Sequence, residues 1–368
     1  MALSETYVDP SIAANSGTGT IGDPYGDLQY ALDTMTRDGT EGDRVNVKAG
    51  TDEVLSSAID LTTYGAPAFS APLILSGYTS IAGDGGKGGI DCGGSDFKQT
   101  QQQAFSIRDL VIHNVSNTAT CAIRLYRGLI FRCEFHDIDT DAIHYHESKV
   151  VGCHIHDVSG IGCKALASLT SRLAGCYFKN DGTKDMTYCV SNGGLTSLHN
   201  LVITDNVMSI DGSTGGILAY YGNIITGNSI LSSAGTASGI ESSRGVSQGW
   251  IYNNLIEGFS GAGGIGLELD TSGHHELYAI VGANSFYNNT TDVSFGGEGA
   301  HYEDNESLSS SPFAKSGSDT YALRSTYFEP QDVAEVLTGL LHNEARGAIQ
   351  PAGGAASMLR RSNMRGGY

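Results

Sequence analysis

The stretch CAIRLYRGLIFRCEFHDI (residues 121–138) recurs twice in this chain. It aligns without a gap with DAIHYHESKVVGCHIHDV (141–158) at an offset of 20 residues, and with KALASLTSRLAGCYFKND (164–181) at a further offset of 23. The alignment pairs like with like in five columns: Ala122/Ala142/Ala165, Ile123/Ile143/Leu166, Ile130/Val150/Leu173, Cys133/Cys153/Cys176 and Phe135/Ile155/Phe178. A repeat of this length with several short apolar segments predicts a solenoid, in which each repeat is one coil packed on its neighbours.

Within each repeat, apolar and polar side chains alternate as they do in half-buried β-strands. Cys133 and Phe135 are predicted to point inward, and Glu134 and His136 outward. Further along the chain, asparagine takes the cysteine position at Asn206, Asn228, Asn254 and Asn284, and insertions lengthen the repeats to 22–30 residues. Because equivalent residues of neighbouring strands lie about 4.8 Å apart, we predict an interior column of cysteines that continues as a ladder of hydrogen-bonded asparagines. The predicted fold is all-β, a single-stranded parallel β-helix of about ten coils.

Both ends of the predicted solenoid carry a different pattern. Leu28, Ala31, Leu32 and Met35 lie on one helical face with Asp27 as N-cap, which predicts a short amphipathic helix over the first coil. After about residue 300 the repeat stops, and a second short helical face follows at 333–341. The predicted organisation is an N-terminal segment with its capping helix (1–44), a parallel β-helix (45–299), a C-terminal cap (300–344) and a basic, glycine-rich arm (345–368).

The Gly-Ile pairs of the chain resemble those of a known fold. Gly216-Ile217, Gly239-Ile240 and Gly264-Ile265 each precede an asparagine of the ladder, in patterns such as GI…GNSI and GI…NNLI. Over residues 45 to about 295 these repeats resemble the right-handed parallel β-helix superfamily, the pectate-lyase-like fold, which implies a right-handed coil. Enzymes of that fold act on polysaccharides at solvent-facing walls, but the motifs of its polygalacturonases are absent, with SGHHEL (272–277) as the nearest approach.

The alternation predicts a patch of titratable side chains on the outside of adjacent coils. Its candidate catalytic residues are Glu134, His136, His156 and Lys179, with Glu134 or His136 as a base and Lys179 stabilising negative charge. Its candidate ligand-binding residues are His113, His154 and Tyr177, and Tyr220 and Tyr221 are candidates elsewhere because sugar rings stack on aromatic faces. The alternative is that the histidines recur only because neighbouring coils repeat the same sequence, and that the resulting ladder has no function.

No metal site and no cofactor are predicted from the spacing of ligand-type residues. Asp137, Asp139, Asp141 and Asp157 lie near one turn, where they would bind calcium weakly or serve only as turn formers. His136 and His156, on adjacent coils, are close enough to share an ion, but no further ligand is evident.

Composition narrows the possible partners. The formal net charge is −19, which disfavours nucleic acid and anionic membrane surfaces. No apolar run reaches about 18 residues, and no Sec-type signal is recognised at residues 1–17. The seven cysteines include no CxxC pair, which favours reduced, buried thiols over a disulfide framework.

The leading functional hypothesis is a bacteriophage virion protein, a tail spike, fibre or surface adhesin that binds host cell-surface glycan. YVDP (7–10), DPYGDLQYAL (23–32) and GDRVNVKAGT (42–51) resemble the N-terminal cap of secreted and viral β-helix proteins. The expected partners are other virion subunits, further copies of the chain in a homo-oligomer such as a trimer, and host polysaccharide, in a virion assembled in the host cytoplasm. The arm would supply assembly contacts through its arginines, Arg346, Arg360, Arg361 and Arg365.

Two alternatives remain open at this point. The first is a polysaccharide lyase or glycoside hydrolase of the pectate-lyase-like fold, secreted by a non-Sec route. The second is a purely structural surface protein without a ligand. Fold alone does not decide between them, because one fold supports many functions.

Overall fold

The chain coils into three parallel β-sheets that run the length of a solenoid. The computed structural model describes residues 3–61, 65, 67–68, 71–97, 104–166, 170–180, 184–192, 200–220, 223–242, 249–269, 279–295 and 300–308. Within those ranges it contains 31 strands and one α-helix, Leu28–Thr34. The predicted C-terminal helical face, most of the predicted cap and the whole arm lie outside the described residues.

The strands are named by sheet, each set in chain order. Sheet 1 has twelve strands: Ser4–Val8, Asp43–Lys48, Leu73–Tyr78, Phe105–Arg108, Leu129–Phe131, Lys149–Val151, Thr170–Ala174, Asn200–Thr204, Ile224–Thr226, Trp250–Tyr252, Ala279–Gly282 and Ala300–Glu303. Sheet 2 has eleven strands: Glu53–Val54, Gly88–Asp91, Leu110–His113, Glu134–Phe135, His154–His156, Tyr177–Lys179, Val207–Ile210, Ser229–Ser232, Leu255–Glu257, Ser285–Tyr287 and Glu306–Ser307. Sheet 3 has eight strands: Cys121–Tyr126, Asp141–His146, Ile161–Ala165, Tyr188–Ser191, Gly215–Ala219, Ser238–Ser242, Ile265–Leu269 and Thr291–Phe295.

Each full coil passes through sheet 1, sheet 2 and sheet 3 in that order. In every sheet a strand pairs in parallel with the equivalent strand of the next coil, which confirms the predicted all-β parallel β-helix. Eight coils of the described chain contribute a strand to all three sheets, fewer than the ten predicted. The difference arises at the ends: the third sheet begins only at Cys121, and the last described coil stops at sheet 2.

The interior column between sheets 1 and 2 forms as predicted. Cys133, Cys153 and Cys176 are at most 2% exposed, and an amide ladder continues the column. Along the ladder each side-chain carbonyl accepts both the backbone N–H and the side-chain N–H of the preceding asparagine, at 3.0 Å for both bonds from Asn228 to Asn254. The members of the ladder are Asn206, Asn228, Asn254, Asn284 and Asn305.

Asn305 extends the ladder past the predicted end of the β-helix at residue 299. It accepts the Asn284 side-chain N–H at 2.8 Å, and the strands Ala300–Glu303 and Glu306–Ser307 pair with the coil before them. A left-handed residue comes directly before each asparagine and turns the chain from sheet 1 into sheet 2: Asp205, Gly227, Asn253, Ala283 and Asp304, with φ between 51° and 69°. The same turn repeated at each coil delivers each amide to the same place.

The gapless alignment of the three repeats holds in sheets 1 and 2 but is wrong in sheet 3. Val150 pairs with Leu173, and Ile155 with Phe178, as predicted. Ile143, however, pairs with Cys163 instead of Leu166, and Tyr145 pairs with Ala165. The extra residues of this repeat therefore follow the sheet 3 strand in the connection to sheet 1, where a longer turn leaves the register of the strands unchanged.

The third Gly-Ile pair is also out of register. Ile217 pairs with Ile240, but Ile240 pairs with Leu267 and not with Ile265. The structurally equivalent glycine is Gly266, and the column needs small residues because coils approach closely there. A Cβ on Gly216 would lie 2.2 Å from the carbonyl oxygen of Gly239 on the next coil.

The N-terminal end is capped by the predicted helix. Asp27 accepts the Tyr30 backbone N–H at 2.6 Å, and Leu28, Ala31 and Leu32 are buried against the core. The strand Ser4–Val8, which the repeat pattern does not predict, pairs in parallel with Asp43–Lys48 and forms the outermost strand of sheet 1.

The described residues contain no helix of the length and apolarity that a bilayer crossing requires. The seven cysteines are all buried and unpaired, as predicted, and they line the interior as small apolar side chains.

The ladder yields a stability prediction for Asn254. The variant Asn254→Ala removes the buried acceptor of the Asn228 backbone N–H and the side-chain donor to the Ile225 carbonyl. It also removes one acceptor of the Asn228 amide, which keeps its bonds to the Ile203 and Thr226 carbonyls. We expect the free energy of unfolding to fall by about 2–4 kcal/mol, because unpaired buried polar groups cost about 1–3 kcal/mol each. Urea unfolding measures the loss, with the exposed Asn117→Ala as matched control. Equal losses in the two variants would show that the ladder does not carry this stability.

Glu53 beneath the capping helix yields a pH prediction. Burial raises the pKa of Glu53 to about 7, although the hydrogen bond from the Leu28 N–H at 3.0 Å lowers it. The folded chain thus holds a proton that the unfolded chain releases near the ordinary pKa of 4.5. The free energy of unfolding therefore falls as the pH rises from about 4.5 to about 7, by at most about 3 kcal/mol. Glu53→Gln keeps the acceptor and should remove this slope, whereas the exposed Glu5→Gln should retain it in urea unfolding at several pH values.

Candidate functional site

Sheet 2 presents a set of polar and aromatic side chains on its outer surface, which we term the histidine face. It spans four successive strands. On these strands Ile112, Phe135, Ile155 and Phe178 point inward and are fully buried, whereas the residues on either side of them point outward. The members of the histidine face are His113, Glu134, His136, His154, His156, Tyr177 and Lys179. These are the side chains that the alternation placed outward, and the structure brings all seven together.

The histidine face is organised as two stacked columns. In the first, the His136 ring lies between those of His113 and His156, with centroid distances of 5.0 Å and 5.2 Å and nearly parallel planes. Lys179 pairs in register with His156 and continues this column. In the second, Glu134 pairs with His154, whose ring stacks on Tyr177 at 5.0 Å. The ring spacing follows from the strand spacing of about 4.8 Å.

Glu134 is the centre of charge in the histidine face. Its Oε1 lies 3.3 Å from His156 Nε2, and its Oε2 lies 3.0 Å from Lys87 Nζ. The hydrogen bond with His156, opposed by burial and assisted by Lys87, lowers the pKa of Glu134 far below its usual range. Glu134 is therefore a carboxylate at neutral pH and not a proton donor.

The imidazoles of the face differ in their protonation. Burial alone would lower the pKa of His156, but hydrogen bonds to Glu134 and Asp157 outweigh it and raise that pKa. Burial and the neighbouring His156 lower the pKa of His154 to about 3. Burial, together with the charges of His156 and His113, also lowers the pKa of His136. Protonation is therefore favoured at His156, whereas the lowered pKa values leave His136 and His154 neutral at neutral pH.

The aspartates at the adjoining turn are engaged by cations. Lys184 Nζ lies 2.7 Å from both Asp137 Oδ1 and Asp139 Oδ1, and it lowers the pKa of Asp137. Asp137 and Asp157 occupy the left-handed turn positions after their strands, which accords with a turn-forming role.

Asp141 points to a different surface, the outside of sheet 3. Its carboxylate accepts from His144 Nε2 at 2.7 Å, from Lys164 Nζ at 3.3 Å and from the Ile161 N–H. The four aspartates considered for calcium thus lie on two surfaces, and calcium binding by them stays a prediction.

The pair His136 and His156 is badly oriented to share an ion. Their rings stack with an angle of 12° between planes. Because imidazole lone pairs lie in the ring plane, stacked parallel rings direct them along separate planes and not towards one point. A different group of ligand-type side chains does converge: Glu134, His154 and His156 place one ligand atom each within 4.8 Å of one another.

Other predicted site residues lie apart from the histidine face. Tyr220 follows the sheet 3 strand Gly215–Ala219, and its backbone groups bond the Asn192 side chain. Tyr221 and the arm residues Arg346, Arg360, Arg361 and Arg365 lie outside the described residues, so their roles stay predictions.

Three residues that the repeat pattern missed complete the surroundings of the histidine face. Lys87 comes from the long connection before the strand Gly88–Asp91, Lys184 from the connection after Tyr177–Lys179, and Asp52 contacts His113 Nε2 at 3.1 Å. All three lie in segments without a counterpart in neighbouring repeats. Their position could be found only from the folded chain.

Known proteins support the fold over a large part of the chain. Residues 97–256 match the family model described as right handed beta helix region. No significant match is found among curated proteins.

Several solved structures are similar in fold at low sequence identity. A mannuronan C-5 epimerase A-module from Azotobacter vinelandii is 15% identical with a TM-score of 0.48, covering 83% of this chain and 100% of that chain. A rhamnogalacturonan lyase is 14% identical with a TM-score of 0.48, covering 68% of this chain and 82% of that one. A mannuronic acid specific polysaccharide family 6 lyase from human gut microbiota is 11% identical with a TM-score of 0.46, covering 83% of each chain. Values this low transfer no activity to this chain.

The match over residues 97–256 and the three stacked parallel sheets agree with each other. Together they identify this chain as a right-handed parallel β-helix protein.

Proposed function

We propose that the histidine face is the active surface of a polysaccharide lyase that acts on uronate-containing chains. The observation that carries the proposal is His136, an imidazole with a lowered pKa that lies between two other imidazoles on the outer wall. On the same wall Lys179 follows His156 in this column, and Tyr177 follows His154 in the other. An extended sugar chain fits a wall of parallel strands better than it fits a closed pocket.

The chemistry of β-elimination requires what these side chains supply. A base removes the proton next to the uronate carboxylate, positive charge stabilises the resulting anion, and the glycosidic oxygen on the neighbouring carbon leaves. His136, whose pKa is lowered, is available as the base at neutral pH. Lys179 is exposed on the coil adjacent to His156, which suits contact with a carboxylate. The His154–Tyr177 stack offers an aromatic surface for a sugar ring.

A glycoside hydrolase is supported less well by the same residues. Hydrolysis normally uses two carboxyl groups, one of them protonated at working pH because its pKa is raised. Glu134 is the one carboxylate of the histidine face, and its pKa is lowered. Lys184 lowers the pKa of the nearby Asp137 as well. Neither group suits the role of general acid.

Glycan binding without cleavage is the second candidate, and it is what a virion adhesin would need. The stacked rings of His154 and Tyr177 favour it, since sugar stacking needs no acid or base. The virion role, the oligomer and the assembly function of the arm remain predictions beyond this surface.

A depolymerisation assay distinguishes the candidates. We expect the full chain to release unsaturated products, detected by their ultraviolet absorbance, from at least one polysaccharide of a panel with uronate-containing and neutral members. His136→Ala should lower the rate by about 100-fold or more. The matched control His144→Gln, on sheet 3, should retain the rate.

Two results would overturn the lyase. Retention of a polysaccharide in affinity electrophoresis without any product would favour the adhesin. Cleavage that persists in His136→Ala would place the reaction on another surface of the chain.

A further inference from the structure

We propose that Glu134, His154 and His156 form a binding site for one zinc ion on the outer surface of sheet 2. This inference goes beyond the proposed lyase, whose elimination chemistry does not call for a metal. It rests on the convergence of three potential ligand side chains, on an unpartnered nitrogen and on a supporting carboxylate.

The β-helix register brings the three ligands together. Glu134 and His154 are direct partners on adjacent strands, and His156 follows His154 by two residues on the same face. Glu134 Oε1 and His156 Nε2 are separated by 3.3 Å, and one ligand atom from each of the three residues lies within 4.8 Å of the others. Ligand atoms bound tetrahedrally to zinc at about 2.0–2.1 Å are about 3.3–3.4 Å apart. The pair Glu134–His156 already has that spacing, and His154, within 4.8 Å of both, has to approach them by at most about 1.5 Å.

His154 Nε2 supplies an independent indication of a ligand. This nitrogen is almost wholly shielded from solvent and has no hydrogen-bond partner among the described residues. A buried imidazole nitrogen without a partner costs free energy, because its interaction with water is lost and not replaced. A metal ion bound to that nitrogen would remove the cost.

Asp157 orients the second imidazole for coordination. Its Oδ2 lies 3.0 Å from His156 Nδ1, which leaves His156 Nε2 directed at Glu134. Ligating histidines in proteins are usually fixed in this way, with the second ring nitrogen held by a carboxylate or carbonyl oxygen. Lys87 contacts the other Glu134 oxygen, Oε2, so an ion at this site would replace only the hydrogen bond between Oε1 and His156 Nε2, with release of the shared proton.

The donor set selects the class of metal. Two imidazoles and one carboxylate suit zinc, whereas calcium and magnesium prefer oxygen ligands in larger number. Three protein ligands on an outer wall leave a fourth position open to water or to an oxygen of a bound molecule.

Zinc binding to the full chain, stripped with a chelator, tests the site. We expect isothermal titration calorimetry with zinc chloride to show one tight site, and cobalt(II) to give the visible absorption of a tetrahedral complex. His154→Ala and Glu134→Gln should weaken the tight site by more than about 100-fold, and Asp157→Asn by about 10–100-fold. His136→Ala is the matched control, since this neighbouring histidine is not a ligand and its loss should leave the tight site intact.

Circular dichroism and thermal unfolding confirm that each variant is folded, and Glu134→Gln keeps the shape of the side chain if His154→Ala does not fold. Three results would overturn the site: no tight zinc binding, tight binding that persists in both ligand variants, or tighter binding of calcium than of zinc. The readout is bound metal and not cleavage, so a failure of the lyase proposal would leave this result unaffected.

Discussion

The amide ladder from Asn206 to Asn305 is the interaction on which the arrangement of the coils depends. The side-chain carbonyl of Asn254 accepts from Asn228 on the coil before it. The Asn254 side-chain N–H groups donate to the Ile225 carbonyl of that coil and to the Asn284 side-chain carbonyl of the next coil. Because these groups are buried, a shift of one coil along the strand direction would break several bonds without water to replace them. The ladder therefore fixes the register of the coils that carry it, and in-register strand pairs continue the same stacking through the cysteine coils.

The same register governs the outer surface, where it has an electrostatic cost. Stacking like on like brings His113, His136 and His156 within 5.2 Å of their neighbours. Adjacent imidazolium ions repel one another, so the column cannot be protonated throughout. The carboxylates of Glu134 and Asp157 raise the pKa of His156, which favours protonation there, whereas the pKa of His136 is lowered. Histidines at equivalent positions of adjacent coils therefore differ in the protonation state that they favour.

The sequence is informative where neighbouring coils repeat and uninformative where they do not. The interior cysteine column, the amide ladder, the capping helix and the seven members of the histidine face follow from the period of the repeat and the alternation of strands. The pairing of Ala165 with Tyr145 in sheet 3 does not follow from the repeat, because a gapless alignment cannot show on which side of a strand an insertion lies. Lys87 contacts Glu134 across 47 positions of sequence from an insertion of its own, and no local pattern encodes such a contact.

The position of the histidine face within the solenoid is also explained by the coils that carry it. Successive members of the interior column are 20 and 23 residues apart there, whereas two of the four spacings in the asparagine part reach 26 and 30 residues. In these short coils even the turn from sheet 2 to sheet 3 is paired, since Ile138 bridges both Val115 and Val158. Backbone that is bonded on all three sides has little freedom to move, and chemistry that depends on side-chain placement within about 0.5 Å requires such support. The cysteines suit this column, because their small side chains fill it and their weak S–H donors reach carbonyl oxygens two residues earlier, as Cys133 Sγ reaches the Phe131 oxygen at 3.5 Å.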